Sequence, residues 1–596
     1  MPIYKAPLED VNFLLNDVFQ IDRYDNLPGF SDASADVREA VLGEAAKLSE
    51  EVLQPLNRAG DLEGCSRQAD GSVTTPKGFK EAFRQVAEGG WLGLSAPTEY
   101  GGQGLPVTLS QAVNEFQCSA NMAFAMYGGL TMGATAALIV HGSPEQKAMF
   151  VPKMVAGEWT GTMNLTEPQC GTDLGLLRTK AVKQPDGSYK LTGTKIFISA
   201  GEHDLTENII HLVLARIEGA PVGIKGISLF VVPKFLVNAD GSLGARNGVT
   251  CGSIEHKMGI HGNSTCVMNY DAATGWLIGG ENKGMQGMFV MMNEARLGVA
   301  VQGLAQSEVA YQNAAAYARD RLQGRSLSGA KAPDKPADPI IVHPDVRRTV
   351  LTIRAFNEAA RAMVVWTALK SDVAHRSSDP KDRQEADDHM GLMTPVMKGF
   401  LTDTGFANAV SAQQIYGGHG YIAEQGMEQF VRDARIAMIY EGANGIQALD
   451  LVGRKLPRDG GRAVMSFFNE VGSFAKEHGG NEAMKPFVTP LSAALGHLQQ
   501  ATTWLMQNAM KQPDNAGAAA TDYLQLFGFV ALGYMWARMA KVTQAKIAEG
   551  GATPYLSTKL VTGRFFMERM LPETALHLAR IQTGCATTME LPAEAF

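Results

Sequence analysis

One late stretch gathers residues able to do acid–base chemistry. Between Gln414 and Gln447 the chain reads QIYGGHGYIAEQGMEQFVRDARIAMIYEGANGIQ. Its opening turn, Gly417-Gly418-His419-Gly420, permits close backbone approach because no Cβ intervenes. Arg432-Asp433-Ala434-Arg435 follows, a charged cluster suited to fixing a loop. Ile439-Tyr440-Glu441-Gly442 then sets an acid between an aromatic residue and a glycine, after the uncharged run 436–440. Desolvation on such a turn would raise a carboxylate's pKa and suit it to act as a general base. Without further signals, a lone glutamate is more simply a helix cap or a surface residue.

Length and composition frame the elements that must hold this stretch. The 596 residues leave room for several domains. A hydrophobic fraction of 45% with 19% charged residues is that of a globular chain with a large core. A net charge of −8 is mild for this length and speaks against a nucleic-acid partner. The six cysteines (Cys65, Cys118, Cys170, Cys251, Cys266, Cys585) form no CxxC pair. Reduced thiols in a cytoplasmic protein are therefore expected, without a disulfide frame or metal site. The N-terminal MPIYKAPLEDVNF lacks the basic and apolar segments of a signal peptide. The longest uncharged run, 116–140, could span a bilayer by length but carries Asn121, Gly128, Gly129, Thr131, Gly133 and Thr135. It reads as a buried helix pair broken at Gly128-Gly129, with no membrane span.

Hydrophobic spacing divides the chain into an α+β order. Residues 1–35 form an N-terminal extension with a helical stretch at 10–19. Over 36–160 the pattern is helical, with Val37, Ala40, Val41, Ala45, Leu48 and Val52 at three- and four-residue spacing. Over 161–280 strand-like runs (209–217, 227–232, 266–270) alternate with turns such as Pro185-Asp186-Gly187 and Asn238-Ala239-Asp240-Gly241, predicting a small β domain. Helical periodicity returns over 281–456, interrupted by a polar linker at 324–343. A final helical block occupies 457–596, where Leu491, Leu495, Leu498 and Leu505 share a face.

QIYGGHGY, RDARI and IYEG together resemble the C-terminal signature of the acyl-CoA dehydrogenase family. Pro97-Thr98-Glu99-Tyr100-Gly101-Gly102-Gln103-Gly104 is similar to a second family element, and Leu165-Thr166-Glu167-Pro168-Gln169-Cys170-Gly171-Thr172-Asp173 to a third. Gly193-Thr194-Lys195-Ile196-Phe197-Ile198-Ser199-Ala200-Gly201 and Arg321-Leu322-Gln323-Gly324-Arg325 resemble two more. The resemblance spans roughly residues 35 to 455. It implies an N-terminal α domain, a β-barrel-like middle domain and a helical bundle, here with an extra C-terminal α domain. It also implies FAD as cofactor and α,β-dehydrogenation of an acyl-CoA, with Glu441 as base; Ala295 stands at the family's alternative base position.

By the same resemblance Leu165 and Thr166 face the flavin, while Gly171 and Thr172 contact its phosphate or the acyl-CoA. A threonine hydroxyl and backbone N–H groups on a proline turn suit an edge where negative charge develops. Phe197 would shield one flavin face and Ser199 would bond its reactive edge. Arg321 and Gln323 would take the pyrophosphate, since a guanidinium fork matches phosphate oxygens. Gln414, Gly417 and Gly418 would complete an adenosine pocket across a subunit boundary. The family's phenylalanine after Gln323 is missing here, which leaves the adenine contacts open. Asn293, Arg296, Tyr440 and Gly442 would line the substrate. Arg361 would reach the CoA phosphates, or else be a solvated helix arginine. No GxGxxG follows a strand, so a Rossmann NAD site is not indicated.

The flanks resemble the long bacterial branch of the family. This implies 3-methylmercaptopropionyl-CoA as substrate ahead of straight-chain acyl-CoAs, a homodimer, and electron-transferring flavoprotein as acceptor. Two other classes fit the sequence less well. A DNA-associated flavoprotein would need clustered cations, but Arg462, Lys476, Lys485, Lys511, Arg538, Lys541 and Lys546 are interleaved with acids. Membrane attachment through 524–539 would need a basic flanking face that the sequence lacks.

Overall fold

The computed structural model describes residues 2–596. The chain forms two compact units that cut across its linear order. One combines the N-terminal stretch to Ala46 with Val107–Glu115 and Val299–Phe596; the other combines Lys47–Pro106 with Phe116–Gly298.

The second unit holds the sheet. Strands Tyr189–Ser199, Lys180–Lys183, Asn208–Ile217, Ile227–Pro233 and Thr265–Ile278 pair in that order, and the last returns to the first. The five strands therefore close a ring. Trp159–Asn164 adds to Asn208–Ile217 in parallel, and Val249–Ile254 adds to Thr265–Ile278 antiparallel. The run NIIHLVLARI is buried on both faces as far as Ala215, which explains its nearly continuous apolar character. Val213 and Ala215 join the interior cluster with Leu191, Phe230 and Met268. Ile210, Leu212 and Leu214 join an outer cluster with Trp159, Ala134, Leu138 and Phe150 of the covering helices.

Helix Val107–His141 runs through Gly128 and Gly129 without the expected break. Only Asn121 leaves helical geometry, at φ −159° and ψ 88°. Its Nδ2 donates to the Leu53 carbonyl at 3.3 Å, and its Oδ1 accepts from Phe124 N at 3.1 Å, restarting the helix as an N-cap does. Gly128 serves packing: a Cβ there would lie 2.9 Å from Leu92. This helix is long and apolar enough to cross a membrane by length and composition, yet 61% of its most apolar window is buried.

The first unit is helical. Pro344–Arg376 and Pro380–Ile415 form its spine, the second started by Asp379, whose side chain accepts from Lys381 N at 2.7 Å ahead of Pro380. The last five long helices run Arg462–His478, Lys485–Asn508, Asp514–Gly550, Pro554–Arg569 and Glu573–Gln582. Arg462–His478, Asp514–Gly550 and Pro554–Arg569 pack directly on the spine, and the other two pack on them. Trp536 is fully buried and its indole N–H donates to the Ala355 carbonyl at 3.0 Å. The expected linker 324–343 is folded around Asp338, whose carboxylate accepts from Ser326 N, Lys331 N and Ala332 N.

Candidate active site

The residues expected at the flavin edge belong to the second unit, and the structure ties their two segments together. Lys195, wholly buried, donates to the Leu165 carbonyl and to Glu167 Oε1, each at 2.9 Å. Glu167 also accepts from the Thr179 hydroxyl at 2.6 Å and from Arg178 N at 2.7 Å. Burial alone would raise the Glu167 carboxyl, but the Lys195 ammonium and these donors outweigh it and bring it down to about 2. Ile196 N donates to the Thr166 carbonyl at 2.9 Å. Leu165 and Thr166 are thereby held against the strand carrying Phe197 and Ser199.

That strand is irregular where the chemistry is expected. Its register with Thr265–Ile278 shifts between the Cys266 and Met268 pairs, and Phe197 adopts φ +59°. An aromatic residue in the left-handed region is strained, and such strain concentrates at functional sites. It turns the Phe197 ring outward, 59% exposed, while Lys195 and Ile198 stay buried. Thr166 and Ser199 are half-buried beside it, and Gly171 and Thr172 are exposed. An outward aromatic ring flanked by two hydroxyls fits a flavin. Asn293 and Arg296 also lie in this unit, the first exposed and the second buried.

Glu441 lies in the first unit, in a turn between helices Met427–Ala437 and Asn444–Asp450. It too adopts a left-handed backbone, φ +57°, followed by Gly442 at φ +84°. The turn is pinned from beneath. Gln447, fully buried, donates through Nε2 to the Glu441 carbonyl at 3.0 Å and the Gly442 carbonyl at 3.1 Å. Buried Lys398 donates to the Gly442 carbonyl and to Asn444 Oδ1, each at 2.8 Å. The Tyr440 hydroxyl donates to Gln302 Oε1. Both backbone carbonyls of the strained turn are thus occupied, and the half-buried carboxylate is presented on a fixed support.

A second face of this unit collects the residues expected at the dinucleotide. Tyr317 stacks on Tyr416 with centroids 4.0 Å apart, and its hydroxyl meets His419 Nδ1 at 2.8 Å. This sets the end of helix Gly284–Asp320 beside the glycine turn. Arg321, Gln323, Gln414, Gly417 and Gly418 are all exposed, and an added Cβ at either glycine would meet nothing within 4 Å. An open guanidinium, two amides and bare backbone form a donor set that fits a pyrophosphate.

Arg361 is neither at the CoA phosphates nor in solvent, which corrects both readings of it. It is 2% exposed, with Nη1 on Asp10 at 2.6 Å, Nη2 on Glu115 at 2.6 Å and on Glu308 at 3.0 Å, and Nε on Glu115 at 2.9 Å. Three carboxylates surround the buried guanidinium and take four of its five N–H donors, which keeps it from a phosphate. Conversely, sequence reasoning missed Lys398, Asn444 and Gln447 as supports of the Glu441 turn. The one available signal was Lys398 itself, a lone cation in the apolar run GLMTPVMKGFL.

Family models match most of the chain. The acyl-CoA dehydrogenase N-terminal domain matches residues 39–158, the middle domain 162–273 and the C-terminal domain 282–456. An acetyl-CoA dehydrogenase C-terminal-like domain matches 467–592. The chain is 42% identical over 579 residues to a 3-methylmercaptopropionyl-CoA dehydrogenase of Ruegeria pomeroyi, covering 97% of this chain and 98% of that one. It is 34% identical over 618 residues to a broad-specificity linear acyl-CoA dehydrogenase of Mycobacterium tuberculosis, covering 100% of each. An acyl-CoA dehydrogenase from Bacillus anthracis, solved in complex with FAD, shares the fold at TM-score 0.73 and 21% identity over 94% of this chain and 90% of that one. The chain belongs to the acyl-CoA dehydrogenase family.

Proposed function

We propose that the protein oxidises the Cα–Cβ bond of 3-methylmercaptopropionyl-CoA to give methylthioacryloyl-CoA, with Glu441 as the base. Family membership makes it an FAD-dependent oxidoreductase. The observation that carries the role of Glu441 is its left-handed backbone, held by Gln447 and Lys398. A turn strained and pinned in this way presents its carboxylate without rearrangement.

The α C–H bond breaks with its electron pair staying on carbon and its proton passing to Glu441. The β C–H bond breaks with both electrons leaving on hydrogen, and a C=C bond forms. FAD, when bound, supplies the acceptor for that hydride. The Thr166 and Ser199 hydroxyls would be the chain's donors at the flavin edge, and Phe197 would cover one face. A bound acyl chain would strip water from Glu441 and raise its pKa toward that of the activated thioester.

Anaerobic mixing of the yellow protein with 3-methylmercaptopropionyl-CoA, butyryl-CoA and palmitoyl-CoA tests the reading through loss of flavin absorbance. Rapid bleaching that vanishes in Glu441→Gln supports the base. Fastest bleaching by the thioether substrate supports the sulfur assignment, which the Ruegeria relative favours. Faster bleaching by a straight-chain thioester would support the second reading, favoured by the Mycobacterium relative. Electron-transferring flavoprotein as the onward acceptor, a homodimer and a cytoplasmic location complete the proposal. No bleaching with any thioester, from protein that holds FAD, would overturn it.

A further inference from the structure

The extra C-terminal helices reach the turn that carries Glu441 through a chain of hydrogen bonds. Gln525, on helix Asp514–Gly550, donates through Nε2 to Asp403 Oδ2 at 2.8 Å. Asp403 Oδ1 accepts from Asn444 Nδ2 at 2.6 Å. Asn444 Oδ1 accepts from Lys398 Nζ at 2.8 Å, and the same ammonium holds the Gly442 carbonyl at 2.8 Å. Four side chains therefore link the C-terminal block to the residue next to Glu441.

The backbone approach at this place is unusually close. A Cβ on Gly399 would lie 2.7 Å from Leu524, and one on Gly528 would lie 2.2 Å from the Phe400 ring. Helix Asp514–Gly550 thus presses on Pro380–Ile415 at the two residues that follow Lys398. Leu524 and Gln525 come from the same turn, so apolar contact and hydrogen bond fix one registry.

We infer that Gln525 is a positioning residue for proton abstraction: the C-terminal block acts as a buttress that sets Asp403, Asn444 and Lys398, and through them the turn of Glu441. The block then has a role in the reaction without touching substrate or cofactor. Removing the Gln525 donor loosens Asp403, the shortest of the three acceptors of the Asn444 amide, the others being the Thr402 hydroxyl and the Gly399 carbonyl, and the shift passes through Asn444 to Lys398. The base loses alignment with the α-proton, while Asn293 and Arg296, the substrate-lining residues outside this turn, keep their places. Misplacing a catalytic group by a fraction of an ångström slows the chemical step more than it weakens binding.

The inference rests on Glu441 being the base, so the test separates the two. Full-length FAD-loaded enzyme is compared as parent, Glu441→Gln, Gln525→Glu and the double variant Gln525→Glu/Asp403→Asn. Gln525→Glu sets two carboxylates against each other. The added Asp403→Asn amide restores a donor toward position 525 and keeps an acceptor for Asn444. The expected result is kcat about tenfold lower in Gln525→Glu, equivalent to about 1.4 kcal/mol, with KM within about twofold. The isotope effect of α-deuterated substrate should rise, FAD content should be unchanged, and the double variant should recover to near the parent.

Parent-like kcat in Gln525→Glu, or a loss shared by KM and FAD content that the double variant does not restore, overturns the inference. Should Gln525→Glu fail to fold, Gln525→Met, uncharged and of similar length, decides it: unchanged kcat and isotope effect overturn it. Turnover surviving in Glu441→Gln would instead overturn the base, whatever position 525 does.

Discussion

Replacing Arg361 by methionine should unfold the helical unit early while leaving acyl-CoA affinity alone. The guanidinium is buried among Asp10, Glu115 and Glu308, with charge-assisted contacts of 2.6 to 3.0 Å. Lys559 lies beside the cluster, paired with Asp10 and at 2.7 Å from Glu358, while Tyr555 donates to Asp10 at 2.8 Å. After substitution Asp10 keeps Lys559, but Glu115 and Glu308 lose their cation. Burial already pushes the Glu115 carboxyl up despite Arg361, so without it Glu115 would take up a proton. Stranding buried charge in this way costs about 3–5 kcal/mol. With an unfolding entropy of about 2.1 cal/mol/K per residue, a unit of roughly 350 residues would melt about 5 °C lower. Scanning calorimetry of parent, Arg361→Met and Arg361→Met/Glu115→Gln measures this. The double variant should recover part of the loss, and the gap to the parent should narrow on acidification as the stranded carboxylates protonate. An unchanged melting temperature with weakened CoA binding would refute the reasoning and return Arg361 to the substrate.

Three further outcomes follow from other sites. Glu441→Gly should abolish turnover yet melt no lower than the parent, because glycine relieves the φ of +57°; a fall of several degrees in a thermal melt would show that the turn is unstrained. Burial holds the His203 and His211 imidazoles down at about 3, against Thr160 and Thr162 hydroxyls at 2.9 and 2.7 Å. Their folded pKa values lie below the unfolded one, so the unfolded chain binds more protons and stability falls as pH drops from about 6.5 toward about 3, by up to about 1.4 kcal/mol per pH unit for each histidine. Denaturant melts across that range should show a flatter slope in His211→Gln, and identical slopes would contradict it. Gly528→Ala, whose Cβ would meet the Phe400 ring, should cost about 1–3 kcal/mol by overpacking, and a variant as stable as the parent in urea would count against the close approach.

The α+β order was legible because it depends on local periodicity. The runs 209–217 and 227–232 lie within strands Asn208–Ile217 and Ile227–Pro233, and Leu491, Leu495, Leu498 and Leu505 are all buried on one helix. Where one residue type serves two purposes, the local signal misled. Gly128-Gly129 resembled a helix break, but Gly128 is there for approach to Leu92, and the departure from helical geometry sits at Asn121, whose side chain found Leu53.

What the sequence determined by itself was the inventory: a closed set of motifs, the elements that carry them and the family they belong to. Turn chemistry, strand alternation and helical spacing are written within a few residues, so they need no knowledge of distant partners. Only the tertiary structure decided who meets whom. Arg361 finds its carboxylates 53, 246 and 351 positions away, and Gln525 finds Asp403 at a separation of 122. The pinning of Glu441 by Lys398 likewise spans helices. A charge reads the same in any local window, and whether it ends in solvent, on a phosphate or inside a buried cluster depends on chain segments that only folding brings to it.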